Sequence, residues 1–161
     1  MGLGGVMKKI FTPTKFKKRV FDPEMISIED IKLPKIIDQL DSKIIKSMVK
    51  EEISTYKSLG YKDKSLGALE VKTYHSFQVG CILKYLQLDY DLFIPNNSEI
   101  FPSFVTNYPF ESLQTKVFEV INNYDKTIAK DPSGPKLIND ISWSPLDVTY
   151  LLYYLTVYKN K

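Results

Sequence analysis

The sequence holds few of the residues from which disulfides, metal sites and thiol chemistry are built. Its 161 residues include one cysteine, Cys81, and one histidine, His75. A single cysteine cannot close an intramolecular disulfide, and one thiolate with one imidazole is too few for a zinc or iron–sulfur site. Residues six positions apart on a helix are separated by about 600° and point to different faces. We therefore expect no metal, no iron–sulfur cluster and no His–Cys reactive pair, and we expect Cys81 to be a buried apolar side chain.

Motifs for phosphate binding and for catalysis are missing as well. Neither a GxxxxGKS or GxxxxGKT loop nor a GxGxxG loop occurs. The near carboxylate pairs Glu51/Glu52 and Asp89/Asp91 have no apolar pocket predicted around them, so we expect them to be solvated charges. Because no nucleophile, base and orienting group can be assembled, we expect no enzymatic activity from this chain alone.

Long apolar runs are also absent. No segment approaches the roughly 20 apolar residues that cross a bilayer, and the N-terminus lacks the charged-then-apolar pattern and cleavage site of a secretion signal. We therefore expect a cytoplasmic protein with no membrane contact.

Acidic residues are missing from the first 21 positions, which instead hold six Lys and Arg residues. The whole chain carries a formal charge of +3, so removing these six charges leaves −3 on the rest. We predict a flexible basic arm at 1–24 whose densest part is Lys15, Lys17, Lys18 and Arg19. Such an arm either binds phosphates or an acidic partner, or is a solubilising disordered end.

The remaining chain favours an all-α fold. Apolar residues make up 43% of the sequence and aromatic residues 13%, which is enough for a sizeable core. They recur at helical spacing in segments separated by Gly- and Pro-containing loops. We predict a single compact helical domain at 25–161 with about five to six helices. One long helix is expected to enter at Pro34 and end at Gly60, with one apolar stripe: Leu33, Ile36, Ile37, Leu40, Ile44, Ile45 and Met48. Others are expected over 72–88, over 109–129 and after the N-cap Ser144.

The helix predicted at 72–88 carries a polar strip. Lys72, His75 and Gln78 recur every three residues, and Tyr74 and Lys84 flank them. This strip either holds a triphosphate or a nucleic-acid strand, or is an ordinary solvated helix face. Trp143, just before the last helix, is similarly open: its ring either anchors that helix in the core or stacks on a base.

Two stretches resemble the C-terminal domain of primase large subunits. LPKIIDQLDSKI at 33–44 is similar to the family segment Phe-Pro-x-Cys-Met-x-x-Leu, and VKTYHSFQVGCILKYLQL at 71–88 is similar to its next helix. The second stretch matches in register at these positions: Lys72, Gln78, Gly80, Leu83, Lys84 and Leu88, with Leu86 in place of isoleucine. The two matches also occur in the family's order.

The departures from that family are specific. Ile36 stands where the family has its first cluster-ligating cysteine, and Thr73 and Ser76 stand where it has a nucleic-acid-contacting His and Arg. The resemblance therefore implies a primase C-terminal-like domain that has lost its iron–sulfur cluster, as in the noncatalytic PriX-type accessory subunits of archaeal primases. Among the family's contact residues, Lys72, Gln78 and Lys84 carry over by type, and Tyr74 and His75 are adjacent enough to replace the lost pair.

What this resemblance implies is an accessory role in making RNA primers for DNA replication. The chain would bind the initiating ATP or GTP, or the primer 5′ end, beside the catalytic and large primase subunits on a DNA template. The alternative is a helical scaffold subunit of a replication or nucleic-acid effector complex. A scaffold would not need the strip from Lys72 to Gln78.

Overall fold

The computed structural model describes residues 28–88, 98–129 and 141–159. Within these ranges the chain is mostly helical, which confirms the predicted all-α class. Its helices are α1 (Lys35–Asp38), α2 (Ser42–Leu59), α3 (Leu66–Leu69), α4 (Ser76–Gln87), α5 (Ser103–Thr106), α6 (Phe110–Tyr124) and α7 (Pro145–Lys159). A π-helical turn, Asp125–Ala129, continues α6. The predicted basic arm at 1–24 and the Asp89/Asp91 pair lie outside the described residues.

Helix α4 lies in the middle of the domain. It packs against α1, α2 and α7, and all its residues from Val79 to Leu83 are buried. A helix that is apolar nearly all round is covered by neighbours on several sides. The residues of this helix therefore meet most of the other elements, and they position the candidate site.

Cys81 is buried in this central helix, as the sequence predicts. Its Sγ donates to Sδ of Met48 on α2 at 3.5 Å. Burial raises the pKa of the thiol to about 12. Because only the thiolate is a good nucleophile, Cys81 serves packing rather than chemistry.

The long first helix predicted from the apolar stripe is wrong in one respect, because the chain breaks it in two. Helix α1 ends after one turn, and Asp41 then caps α2 by accepting a hydrogen bond from the Lys43 amide at 2.7 Å. The break leaves Ile36 and Ile44 45% and 44% exposed, although both belong to the predicted stripe. The other end is as predicted: Gly60 stops α2 at φ 68°, in the left-handed region that glycine adopts most readily.

A two-stranded antiparallel sheet was not predicted. Strand β1 (Tyr74–His75) precedes α4, and strand β2 (Ser142–Trp143) precedes α7. Tyr74 pairs with Trp143, and His75 pairs with Ser142. Each strand leads almost directly into a long helix, so the sheet fixes where α4 and α7 begin relative to each other.

Candidate functional site

The polar strip predicted on a helix lies instead at the junction of β1 and α4. Lys72 and Thr73 precede the helix, and the Thr73 amide donates to the Trp143 carbonyl at 2.9 Å. The helical start predicted at residue 72 is therefore wrong by four residues, because the Thr73 amide and strand β1 pair with residues at β2 instead of entering helical hydrogen bonds. Lys72 and His75 are both exposed, but an extended segment separates them.

His75 is the N-cap residue of α4. Its backbone amide donates to Oε1 of Gln78 at 2.9 Å, the side-chain-to-backbone half of a capping box. His75 and Gln78 thus come together as predicted, with the Gln78 side chain oriented by the helix start. The first-turn amides beside them form the positive end of the helix dipole, which favours anions.

Trp143 settles its open alternative in favour of the core. The side chain is 2% exposed, its ring centroid lies 5.6 Å from that of Tyr124, and its Nε1 donates to Oγ of Ser76 at 2.6 Å. With the ring enclosed, no face is open for a base to stack on. Ser76, which replaces the family's arginine, therefore has a structural partner of its own.

Replacing Ser76 by alanine is expected to destabilise the domain. The change removes the acceptor of the buried Trp143 Nε1–H, and an unsatisfied buried donor costs about 1–3 kcal/mol. Urea denaturation followed by circular dichroism measures the loss. Trp143→Phe serves as the control background, where the same Ser76→Ala change should cost clearly less; an equal cost in both backgrounds would show that the hydrogen bond contributes nothing.

Lys84 lies away from the other strip residues. It is nine positions after His75, about 900° around the helix, which places it on the opposite side of the axis. Its Nζ forms an ion pair with Oδ1 of Asp38 on α1 at 2.9 Å. The structure therefore gives Lys84 a packing partner rather than a place beside Lys72 and His75.

Tyr74 and Gln78 face a pocket between α2, β1 and α4. Its volume is about 310 Å³, and it is lined by Met48, Glu51, Glu52, Thr55, Tyr74, Phe77 and Gln78. Two of its lining groups are unusual: Oε1 of Glu52 and the Tyr74 hydroxyl are both shielded from solvent without a hydrogen-bond partner. Within the described part of the chain, this pocket is where buried polar groups converge on open space.

The Glu52 carboxyl is strongly perturbed. Burial, with a smaller contribution from the neighbouring charge of Glu51, raises its pKa to about 9. Glu52 is therefore neutral at pH 7 and can donate a hydrogen bond. Burial also raises the pKa of the Tyr74 hydroxyl. The expectation that Glu51 and Glu52 are both solvated is wrong for Glu52, which is 9% exposed.

A signal for this burial was present in the sequence. Ile45, Val49 and Tyr56 are all fully buried on α2, and their spacing places position 52 on the same face. Reading that face through Glu52, rather than stopping at its charge, identifies the acid as a core-facing residue. Its side chain is the functional candidate that the sequence interpretation missed.

The remaining chemistry is limited. No group of three or more His, Cys, Asp or Glu side chains suited to a metal ion occurs among the residues in the described ranges. None of the helices there combines the length and apolar character that a membrane span requires.

Fold and site together describe a small helical domain with one mixed aromatic and acidic pocket beside an exposed helix N-terminus. Comparison of the chain with protein-family profiles, with curated proteins and with solved structures found no match.

Proposed function

We propose that the chain is a noncatalytic accessory subunit of a DNA primase, which binds the initiating purine triphosphate or the primer 5′ end. The observation that carries the proposal joins its two resembling segments. Gly80 of the second segment packs so closely on Ile37 of the first that a Cβ at position 80 would overlap the Ile37 side chain. The ion pair from Lys84 to Asp38 links the same two segments.

The phosphate-binding part of this proposal rests on the junction before α4. Lys72 and His75 are exposed there, and the His75 cap leaves the first-turn amides of α4 at the surface end of the helix. A lysine ammonium and a helix N-terminus both favour a phosphate group. Gln78, held by the His75 amide, would add a hydrogen-bonding amide. Lys84 and Trp143 are left out of this site because each has a structural partner.

In this role the chain supplies position rather than chemistry. Holding the first nucleotide beside the catalytic subunit would lower the entropic cost of joining it to the second. The catalytic and large primase subunits are the proposed partners, the DNA template and RNA primer the proposed nucleic acids, and the cytoplasm the proposed compartment. No iron–sulfur cluster or other cofactor is part of the proposal.

Nucleotide binding tests the proposal directly. We expect labelled ATP or GTP to bind the purified chain, and Lys72→Ala to weaken binding about tenfold or more, as loss of a charge-assisted hydrogen bond does. Gln78→Ala should weaken it as well. Lys84→Ala is the matched control, since it removes the same charge on the other side of α4, and it should leave the affinity unchanged.

Two results would count against this reading. One is no binding at millimolar nucleotide, either alone or with catalytic and large primase subunits. The other is equal weakening by Lys72→Ala and Lys84→Ala, which would indicate a general charge effect rather than a site.

The scaffold alternative has one specific observation in its favour. Ile36 and Ile44 are exposed on both sides of the break between α1 and α2, and exposed apolar side chains are used in protein contacts. If nucleotide binding fails while Ile44→Asp abolishes assembly with a replication partner, the scaffold function replaces the primase one.

A further inference from the structure

The pocket between α2, β1 and α4 is an incomplete binding arrangement. Glu52 and Tyr74 are more than nine-tenths buried, at 9% and 6% exposure, and Glu52 Oε1 and the Tyr74 hydroxyl have no hydrogen-bond partner among the described residues. Buried polar atoms normally have partners, and leaving one unmatched costs free energy. A ligand that supplies hydrogen-bond donors to this pocket would remove that cost.

The charges around the pocket select the sign of its ligand. Glu51 and Glu52 are the ionisable acids that line it, and no Lys, Arg or His is among its lining residues. An anion such as phosphate would meet two carboxyls and no positive charge. A cation would meet the opposite, so this pocket is distinct in its chemistry from the surface around Lys72 and His75.

The pocket's walls and size narrow the ligand further. Tyr74 and Phe77 contribute aromatic side chains, while Glu52, Glu51 and Thr55 contribute oxygen acceptors. A guanidinium group is planar, carries five N–H donors and binds both aromatic faces and carboxylates. The volume of about 310 Å³ is at the lower end for ligand pockets and suits one side chain or a small molecule.

We propose that this pocket binds a guanidinium group, supplied either by an arginine side chain of a protein partner or by a small alkylguanidine. The Glu52 carboxylate is the principal acceptor, and Tyr74 and Phe77 enclose the cation. The inference goes beyond primase accessory function and does not depend on it, because a guanidinium site could be present whether or not the chain binds nucleotides.

Binding a cation here is coupled to proton release. The groups that face Glu52 are Glu51 on its own helix, the Tyr74 hydroxyl on β1 and the Cys81 thiol on α4. None of these is a positive charge that would hold Glu52 ionised, so Glu52 carries a proton at pH 7. A guanidinium ion makes the carboxylate the favoured form, and the proton leaves to solvent as the ion pair forms. Affinity should therefore rise with pH until the pKa of Glu52, about 9, is passed.

Calorimetric titration of the full chain with ethylguanidinium chloride tests the inference, with ethylurea as the neutral probe of the same shape. We expect saturable binding of ethylguanidinium, no binding of ethylurea, and release of about one proton at pH 7, read from buffers of different ionisation enthalpy. Glu52→Gln should weaken binding about tenfold or more. Glu119→Gln, an exposed acid on α6, is the matched control and should bind as the wild type does.

A peptide arm distinguishes the two sources of the guanidinium group. If Ac-Gly-Arg-Gly-amide binds at least as well as ethylguanidinium and loses affinity in Glu52→Gln, a protein arginine is the ligand class; if only the small molecule binds, the ligand is a free alkylguanidine. Equal binding of ethylurea, equal loss in both Gln variants, or no saturable binding of either cation between pH 7 and about 9 overturns the inference.

Discussion

Gly80→Ala is expected to lower the free energy of unfolding by about 1–3 kcal/mol, the usual cost of overfilling a packed core. An added Cβ would overlap Cδ1 of Ile37 and would lie 2.5 Å from the Tyr124 hydroxyl. Both of those side chains are fully buried, and the Tyr124 hydroxyl donates to the Ser76 carbonyl at 3.4 Å. Neither can move aside without disturbing the central helix.

The chain offers a matched control in Gly67, which lies on the short helix α3. A Cβ added there meets nothing within 4 Å, so Gly67→Ala should stabilise slightly, by at most about 1 kcal/mol, through helix propensity alone. Urea denaturation of the two variants should therefore give changes of opposite sign. The same sign and size for both would show that the close approach at Gly80 is unimportant.

A rescue experiment identifies the atoms responsible. Ile37→Val removes the Cδ1 methyl, and Tyr124→Phe removes the hydroxyl that the new Cβ would meet. Combined with Gly80→Ala, these two changes should destabilise by less than the sum of the three single effects, because neighbouring substitutions that relieve one clash are not additive. Strict additivity would place the cost of Gly80→Ala elsewhere in the molecule.

The class of fold was predictable from the sequence because long amphipathic segments carry their own signal. The apolar spacing around Val117 and Ile121 on α6 predicts that helix directly, and both residues are buried. The glycine at the end of α2 was predictable for the same local reason, since a left-handed cap suits Gly60.

Features that depend on distant partners were not predictable. Tyr74 joins a strand only because Trp143, far along the chain, pairs with it, and a two-residue strand has no periodicity to detect. The break between α1 and α2 was hidden for a different reason. Ile37 and Ile45 remain buried on both sides of it, so the apolar spacing continues through the break and suggests one helix.

The candidate site was predictable only in part. Gln78 and His75 were correctly placed together, because residues three apart at a helix start share a capping geometry. Glu52 was set aside on the rule that charged residues avoid the core. That rule concerns the ionised form, and a carboxyl whose pKa is about 9 enters the core as a neutral acid. The rule therefore excluded the residue that the protein keeps uncharged.

Protonation of Glu52 predicts how the stability of the domain varies with pH. Its pKa is raised from 4.5 in the reference state to about 9 in the folded protein. Between these values the folded state holds a proton that the unfolded chain has released, so the free energy of unfolding falls as pH rises. The stabilisation is fully present below pH 4.5, decreases by about 3 kcal/mol by pH 7, and continues to decrease up to pH 9.

Glu52→Gln should abolish this part of the pH dependence, because glutamine has nearly the same shape and does not ionise. Wild type and variant are expected to have similar stability near pH 4.5 and to diverge as pH rises, with the variant the more stable by several kcal/mol at pH 9. Urea denaturation at intervals across this range measures the divergence. Glu51→Gln is the control: Glu51 is exposed, so its loss should leave the slope in place and only lower the pKa of Glu52 by removing a neighbouring charge. Parallel pH profiles for wild type and Glu52→Gln would mean that Glu52 is ionised in the folded domain, and that the pocket already contains a charge able to hold a cation without releasing a proton.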